Sequence, residues 1–323
     1  MSAAQPARAS RWRRIMRDQP LIPLIVLLLA LVVVLELLRP GIVNERWVAN
    51  TIKFAIPLAV LAACQTMTML TGGIDLSVGI VATMSAFVMA TQVTTHDPSV
   101  AILIALVPAA LVGLANGIGI AFFRVHPLIM TLGMSLIVTG CLQVYQRTVL
   151  ATGSAVPEAL AWLGTGRTYG IPNALVLFVP LAALIVFGLR RTGFGRLLYA
   201  IGDNETASRF AGVLIWQVII VLYVISGLLA GIAGLLYVGL IKAPSLSLAV
   251  PLLLPSVAAA VIGGTSIFGG RGGYAGTIVG ALILSVLTTL LTVLQMPEGS
   301  RRMLFGAIIL AVTAAYIRIT EES

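Results

Sequence analysis

At 323 residues, 59% hydrophobic and 10% charged, with a mean hydropathy of +1.07, the chain cannot coat a water-soluble fold, where about a quarter of residues are charged. Length alone would fit two soluble domains, and this composition replaces them with one bundle in a bilayer. The net charge of +9 does not point to nucleic acid, because no basic or aromatic soluble module accompanies it.

Residues 1–20 form a basic tail carrying Arg8, Arg11, Arg13, Arg14 and Arg17, the signature of an N-terminus kept in the cytoplasm. The apolar run 21–38 is long for the core of a secretory signal, and Arg39-Pro40-Gly41 offers no small-residue cleavage site. It reads as a retained first span. Further apolar runs follow near 50–70, 76–92, 99–123, 127–146, 172–189, 214–240, 252–268, 272–295 and 303–319. Each approaches the roughly 20 residues needed to cross the hydrocarbon core. Backbone groups in lipid must bond internally, so these runs are helices, and their weak alternation argues against an outer-membrane barrel. The expected fold is all-α: a single membrane domain, 21–323, of about ten transmembrane helices interrupted by Gly-broken segments.

With the tail inside, alternation places the link at Arg124 and the segment 190–213, with Arg190, Arg191, Arg196 and Arg209, in the cytoplasm. Segment 147–171 becomes the longest outer loop, and both termini are cytoplasmic. Two Gly-rich interruptions stand out: Thr71 to Gly79, and Gly263 to Gly273. Such breaks in transporter halves mark the binding region. The match between the two is loose, so an internal repeat is only a suspicion.

The chain holds 11 acidic residues, mostly near span edges, and Asp75 is the exception. A carboxylate near mid-bilayer costs about 2.5–3.5 kcal/mol on insertion scales and is kept for a partner or a pathway. One reading has Asp75 hold the Gly-broken segment and face a polar cavity; the other has it cap the next helix from a short cytoplasmic turn. Gln65, Thr66, Thr68 and Ser77 suit sugar hydroxyls, although Ser and Thr also bond back to their own helix. Asn116, among Gly113, Gly117 and Gly119, fits a pathway or interhelical glue. Glu36 lies close to the outer interface and has no assigned role. In the cytoplasmic segment, Asp203 or Asn204 caps a short helix, Thr206 to Phe210 forms its body, and Gly212 stops it. A short amphipathic helix along that face is a docking knob for a soluble partner.

Cys64 and Cys141 sit inside apolar runs and frame no disulfide. His96 and His126 lack companions at metal-ligand spacing. Neither Lys53 nor Lys242 follows a glycine, so the chain carries no phosphate loop for ATP. No Asp-x-x-x-Asp pair serves a membrane prenyltransferase, and no Ser, His and Asp set serves nucleophilic catalysis. No catalytic residue and no metal site is expected.

Four segments carry a resemblance. They are Gly72-Gly73-Ile74-Asp75-Leu76-Ser77-Val78-Gly79, Pro127-Leu128-Ile129-Met130-Thr131-Leu132-Gly133-Met134, the run from Gly195-Arg196 through Gly202, Asn204 and Ala207 to Gly212, and Ala258 to Ser266 followed by Gly269-Gly270-Arg271-Gly272. In their order and spacing, from about residue 50 to 315, the chain resembles the permease subunits of bacterial monosaccharide ABC importers of the ribose, xylose, arabinose and galactose type. The resemblance implies a chain without its own ATPase or cofactor. ATP is bound by cytoplasmic partner subunits docked on the 190–213 segment, a periplasmic sugar-binding protein delivers substrate, and a second permease chain completes a homodimer or heterodimer in the inner membrane. It places Gly72, Gly73 and Asp75, together with Ser77, Gln65, Thr68 and Asn116, in the translocation region. Gly195, Arg196, Gly202, Asn204, Ala207 and Gly212 form the ATPase contact. Where many relatives have Glu-Leu-Asp before the Ala-Ala-Val run, this chain has Leu252-Leu253-Leu254-Pro255-Ser256. An ion-coupled secondary transporter using Asp75 is the alternative; it would leave the charged inner segment without a purpose.

Overall fold

A computed structural model describes residues 21–149, 153–297 and, apart from 302, 305 and 309, residues 299–310. The basic tail, most of the span expected at 303–319 and the C-terminus lie outside the described residues.

Helices α1 (Leu21–Leu38), α2 (Glu45–Leu70), α3 (Val78–Gln92), α4 (Pro98–Ala121) and α5 (Pro127–Val149) form the first half. A short α6 (Glu158–Thr165) and a two-stranded hairpin, β1 (Arg167–Thr168) with β2 (Ile171–Pro172), follow in the long loop, where the sequence reading had only a loop. Then come α7 (Ala174–Arg191), α8 (Gly193–Asp203), α9 (Glu205–Phe210), α10 (Ile215–Ile241), a 3-10 turn at Val250–Leu252, α11 (Leu253–Ile262) and α12 (Tyr274–Val293). Every span expected from 21–38 to 272–295 contains a helix, yet among the described residues only 7 are long and apolar enough to cross a membrane. The runs at 76–92 and 252–268 hold helices of only 15 and 10 residues. Glycines and prolines at their ends (Gly72, Gly73, Pro251, Gly263, Gly264) unwind the apolar run before it completes a crossing.

The centre is α2 and α10, each two-thirds buried over its most apolar stretch, while α1 has a single buried residue, Leu35. α10 packs along α4, α2 and α3, and α2 backs onto α12 and α11. Lipid tails are as apolar as leucine, so close backbone approach has to hold such helices together, and small residues permit it. A Cβ on Gly227 of α10 would fall on the Ala109 carbonyl of α4, and one on Gly113 of α4 would fall on the Tyr223 carbonyl of α10. Lys53, buried in α2, donates to the Thr165 carbonyl at the end of α6 and ties the long loop to the centre.

The connections 71–77, 122–126, 192–214 and 263–273 gather at one end of the bundle, here called the junction end. The links 39–44, 93–97 and 242–252 lie toward the opposite end. Two of these connections dip inward. From the junction end 71–77 leads to the start of α3, and from the opposite end 242–252 leads to the start of α11. They meet: a Cβ on Gly79 would lie 3.3 Å from Leu253 Cβ and 3.4 Å from the Ala249 oxygen. The Ala249 N–H donates to Thr83 Oγ1 at 3.0 Å. From that crossing α3 climbs about 20 Å and α11 descends about 15 Å, at 1.5 Å per residue. Two half-length helices therefore have their N-termini side by side inside the bundle.

The suspected likeness of the two Gly-rich segments has a local basis. Gly72 (φ 76°) and Gly264 (φ 88°) both stop a helix in the left-handed conformation. Gly72 N–H donates to Met69 and Gly73 N–H to Thr68; Gly264 N–H donates to Val261 and Thr265 N–H to Ala260. The pattern is the same glycine C-cap in both places.

Candidate functional site

A buried polar cluster ties the half-helices together. Asp75 is 2% exposed. Its Oδ1 accepts from the Ser77 N–H at 2.9 Å and the Ser77 hydroxyl at 2.6 Å, and its Oδ2 accepts from the Ser226 hydroxyl of α10 at 2.8 Å. Gln65 of α2 grips the backbone of Asp75 from both sides: Nε2 donates to the Asp75 carbonyl at 2.8 Å, and Oε1 accepts the Asp75 N–H at 3.3 Å. Asn116 of α4 donates to Ser77 Oγ at 3.0 Å, and Leu76 N–H donates to Thr131 Oγ1 of α5 at 3.0 Å. One seven-residue segment is thus bonded to α2, α4, α5 and α10. An unpaired carboxylate among apolar helices would cost far more than these bonds return, so the hydroxyls are the condition for keeping it there.

The expected pathway residues therefore fall into one cluster, with different duties. Asp75, Ser77, Gln65 and Asn116 are bonded to one another. Thr68 bonds back to the carbonyls of Cys64 and Gln65 in its own helix. Thr66 does the same to Ala62 and also meets Thr277 of α12 at 2.7 Å. Gly72 makes the helix stop, and Gly73 passes so close to α10 that a Cβ would lie 2.9 Å from the Tyr223 hydroxyl. The Asp75 carboxylate is enclosed: it does not lie in an exposed turn, and it lines neither of the cavities described below. Two buried polar atoms at the edge of the cluster, Asn116 Oδ1 and the Tyr223 hydroxyl, have no partner. Ser226 and Tyr223 escape sequence reasoning, because a lone hydroxyl in an apolar run has no local mark of its partner; Thr131 stands in the Pro127–Met134 motif but nothing there marks its bond to Leu76.

At the junction end the charged segment is seated by glycines. A Cβ on Gly202 of α8 would fall on the Leu70 carbonyl, and one on Gly269 would lie 2.7 Å from the Gly202 oxygen. Gly270 N–H donates to that same Leu70 carbonyl at 3.0 Å, and Tyr199 donates to the Gly272 oxygen at 2.9 Å. Burial pushes the Tyr199 phenol above its usual range, against the opposing pull of Arg190. Gly195 lies buried against the Leu189 carbonyl where α8 turns back on α7. Asn204 Oδ1 caps α9 by accepting from the Ala207 N–H at 2.9 Å, so the cap is Asn204 rather than Asp203, and the helix begins at Glu205. Arg196, Asn204, Ala207 and Gly212 are exposed, as is Phe210 at 88%. Within the expected contact set, Gly195 and Gly202 hold the segment against the bundle and the others face outward.

Two cavities lie toward opposite ends. One of about 700 Å³ at the junction end is lined by Gly72, Arg124, Glu205, Arg209, Trp216 and Tyr223, among others. The other, about 480 Å³ and toward the opposite end, is bounded by the N-terminal half of α2, the C-terminal half of α12 and the turn leading into α11. Its lining includes Trp47, Asn50, Tyr237 and Thr288, none of which the sequence reading singled out.

Broken helices that meet inside a bundle, with cavities toward both of its ends, make a multi-pass membrane protein built for transport. The chain belongs to the family described as branched-chain amino acid transport system / permease component, which matches residues 47–313. It is 32% identical to the ribose import permease protein RbsC of Escherichia coli (strain K12) over 289 residues, 88% of this chain and 90% of that one. It is also 32% identical to the fructose import permease protein FrcC of Rhizobium meliloti, covering 91% of this chain and 84% of that one. A third relative, the ribose import permease protein RbsC of Bacillus subtilis (strain 168), is 32% identical with 88% of each chain covered. No solved structure matches the chain.

Proposed function

We propose that this chain is the permease subunit of an ATP-driven ABC importer that carries a monosaccharide or related polyol across the bacterial inner membrane. The family description speaks of amino acids, but the relatives matched over nine-tenths of the chain carry the names of sugar importers. A chain of this kind does no chemistry itself. The work comes from ATP-binding subunits in the cytoplasm, and substrate arrives from a periplasmic sugar-binding protein. A second permease chain, identical or not, completes the pathway.

The observation that carries the reading is the seat of the charged segment. Through Gly202, the 190–213 segment bears directly on the end of α2 and on the 263–273 loop, and α2 and α11 then lead to the two inward-dipping connections, 71–77 and 242–252. A subunit that pulls or pushes on α8 and α9 therefore moves the elements that line the interior, and transport becomes a shift between two populated conformers. The arginines of the N-terminal tail support a cytoplasmic junction end. Asp75 and its partners belong, on this reading, to the element that must repack between the two states. A proton- or sodium-coupled carrier would need its carboxylate open to a cavity, and the enclosure of Asp75 by Ser77 and Ser226 counts against that use.

Uptake in vesicles tests the proposal. Transport should require a separate ATPase and a sugar-binding protein and should ignore an uncoupler. Uptake by the chain alone, abolished by an uncoupler, would overturn it.

A further inference from the structure

The 480 Å³ cavity has the size of a small-molecule site, which runs roughly 300–1,000 Å³, and its walls differ in chemistry. One wall is the C-terminal half of α12, where Ser285, Thr288, Thr289 and Thr292 stand in the lining. Each of these hydroxyls donates its proton to the carbonyl four residues earlier: Ala281, Leu284, Ser285 and Thr288. With their protons committed, their oxygens are left as acceptors, the complement of a ligand's hydroxyl donors.

Also in the lining, Trp47 carries a buried indole N–H that has no partner. Asn50 gives its Oδ1 to Arg167 and keeps its amide N–H groups for another acceptor. Phe54, Leu58, Pro251, Leu252 and Pro255 supply an apolar wall, and neither proline has an N–H to offer. No Asp or Glu lines the space; its one charged lining residue is Arg301, whose guanidinium is engaged, its Nε donating to the Met296 carbonyl at 3.0 Å.

The geometry points to this cavity as a binding site for an uncharged monosaccharide or polyol with one hydroxyl-rich edge and one apolar edge, a deoxyhexose being the simplest example. This rests on the importer reading above and sharpens it to a substrate class. The acceptor row on α12 takes the ligand's hydroxyl donors, and Trp47 and Asn50 donate to its oxygens. The deoxy edge lies on Pro251, Leu252 and Pro255. A fully hydroxylated hexose would press a hydroxyl against that wall with nothing to bond it. A cationic sugar would find no carboxylate.

The test uses the full chain in right-side-out vesicles, with Cys141→Ser removing the exposed native thiol and Cys64 left buried. Thr288→Cys should react with a membrane-impermeant maleimide added outside. A 6-deoxyhexose should slow that reaction about fivefold more than its parent hexose at equal concentration, the worth of one hydrogen bond left unmade. Trp47→Phe, which keeps the ring and removes the N–H, should weaken protection by about the same factor while leaving the unprotected rate unchanged.

A Thr288→Cys thiol out of reach of the reagent, equal protection by both sugars, or protection indifferent to Trp47→Phe would each overturn the assignment. A failure of the importer reading is read elsewhere, as uptake that does not need the ATPase, and it leaves the labelling result to be judged by itself.

Discussion

The two glycine-broken segments stop their helices with the same backbone turn and then do opposite things. After Gly72 the chain turns inward and is fastened by side chains: Asp75 to Ser77 and Ser226, and its backbone to Gln65. After Gly264 it stays at the junction end and is fastened mainly by close backbone contact, with Gly269 and Gly270 against Gly202 and Asp203 of α8 and the Tyr199 hydroxyl added on the Gly272 oxygen. The first is a hydrogen-bonded lock whose parts can be weakened one at a time. The second is a steric fit with no slack, because nothing can shorten a backbone. Local backbone geometry alone does not say which kind of joint a break will become; the groups packed against it do.

That contrast can be broken by substitution, and the steric joint should give way first. Gly202→Val would drive a branched side chain into the Leu70 carbonyl and the Gly270 N–H, a cost of about 3 kcal/mol or more for overpacking against atoms that cannot swing aside. The expected outcome is an inserted protein whose 190–213 segment becomes sensitive to protease and whose ATP-driven uptake is lost. Full uptake in this variant would mean that α8 is not seated as described.

The hydrogen-bonded lock should fail more gently. Asp75→Asn keeps the shape but replaces one acceptor oxygen with an NH₂ group, a mismatch that the Ser226 hydroxyl can relieve only by giving up its donation to that position and turning to accept. About 1–2 kcal/mol is the cost of that mismatch, so uptake should fall several-fold while membrane expression stays near normal. Unchanged uptake would reduce Asp75 to a structural turn residue. At the bottom of the range, Thr68→Val removes only a bond made back to the residue's own helix. A change within about 0.5 kcal/mol in thermal stability and unaltered uptake are expected. A large loss of uptake there would return Thr68 to the pathway set.

Much of this could be read in advance, for reasons tied to particular residues. The apolar runs had to be helices because lipid offers no partner to a backbone N–H. Asp75 stood out because a carboxylate inside such a run is costly, and Asn204 to Gly212 announced a capped short helix. The likeness of Gly72 and Gly264 was legible as a pair of breaks, since left-handed helix stops favour glycine. The partners were not legible. Ser226 lies 151 residues from Asp75, and Asn116 lies 39 from Ser77; a serine or asparagine looks the same whether it holds a distant carboxylate or its own helix. The Trp47, Tyr237 and Thr288 cavity was invisible for the same reason, being drawn from α2, α10 and α12.

Composition and periodicity, then, were sufficient for a membrane bundle, for the place of nearly every helix and for the breaks within it, because each depends on neighbours along the chain and on the solvent around it. Which break becomes a lock, which becomes a seat, and which faces enclose a cavity depended on the third dimension. Those outcomes are set by what lies within a few ångströms of a given carbonyl or hydroxyl, and in this bundle such neighbours come from segments far apart in the chain.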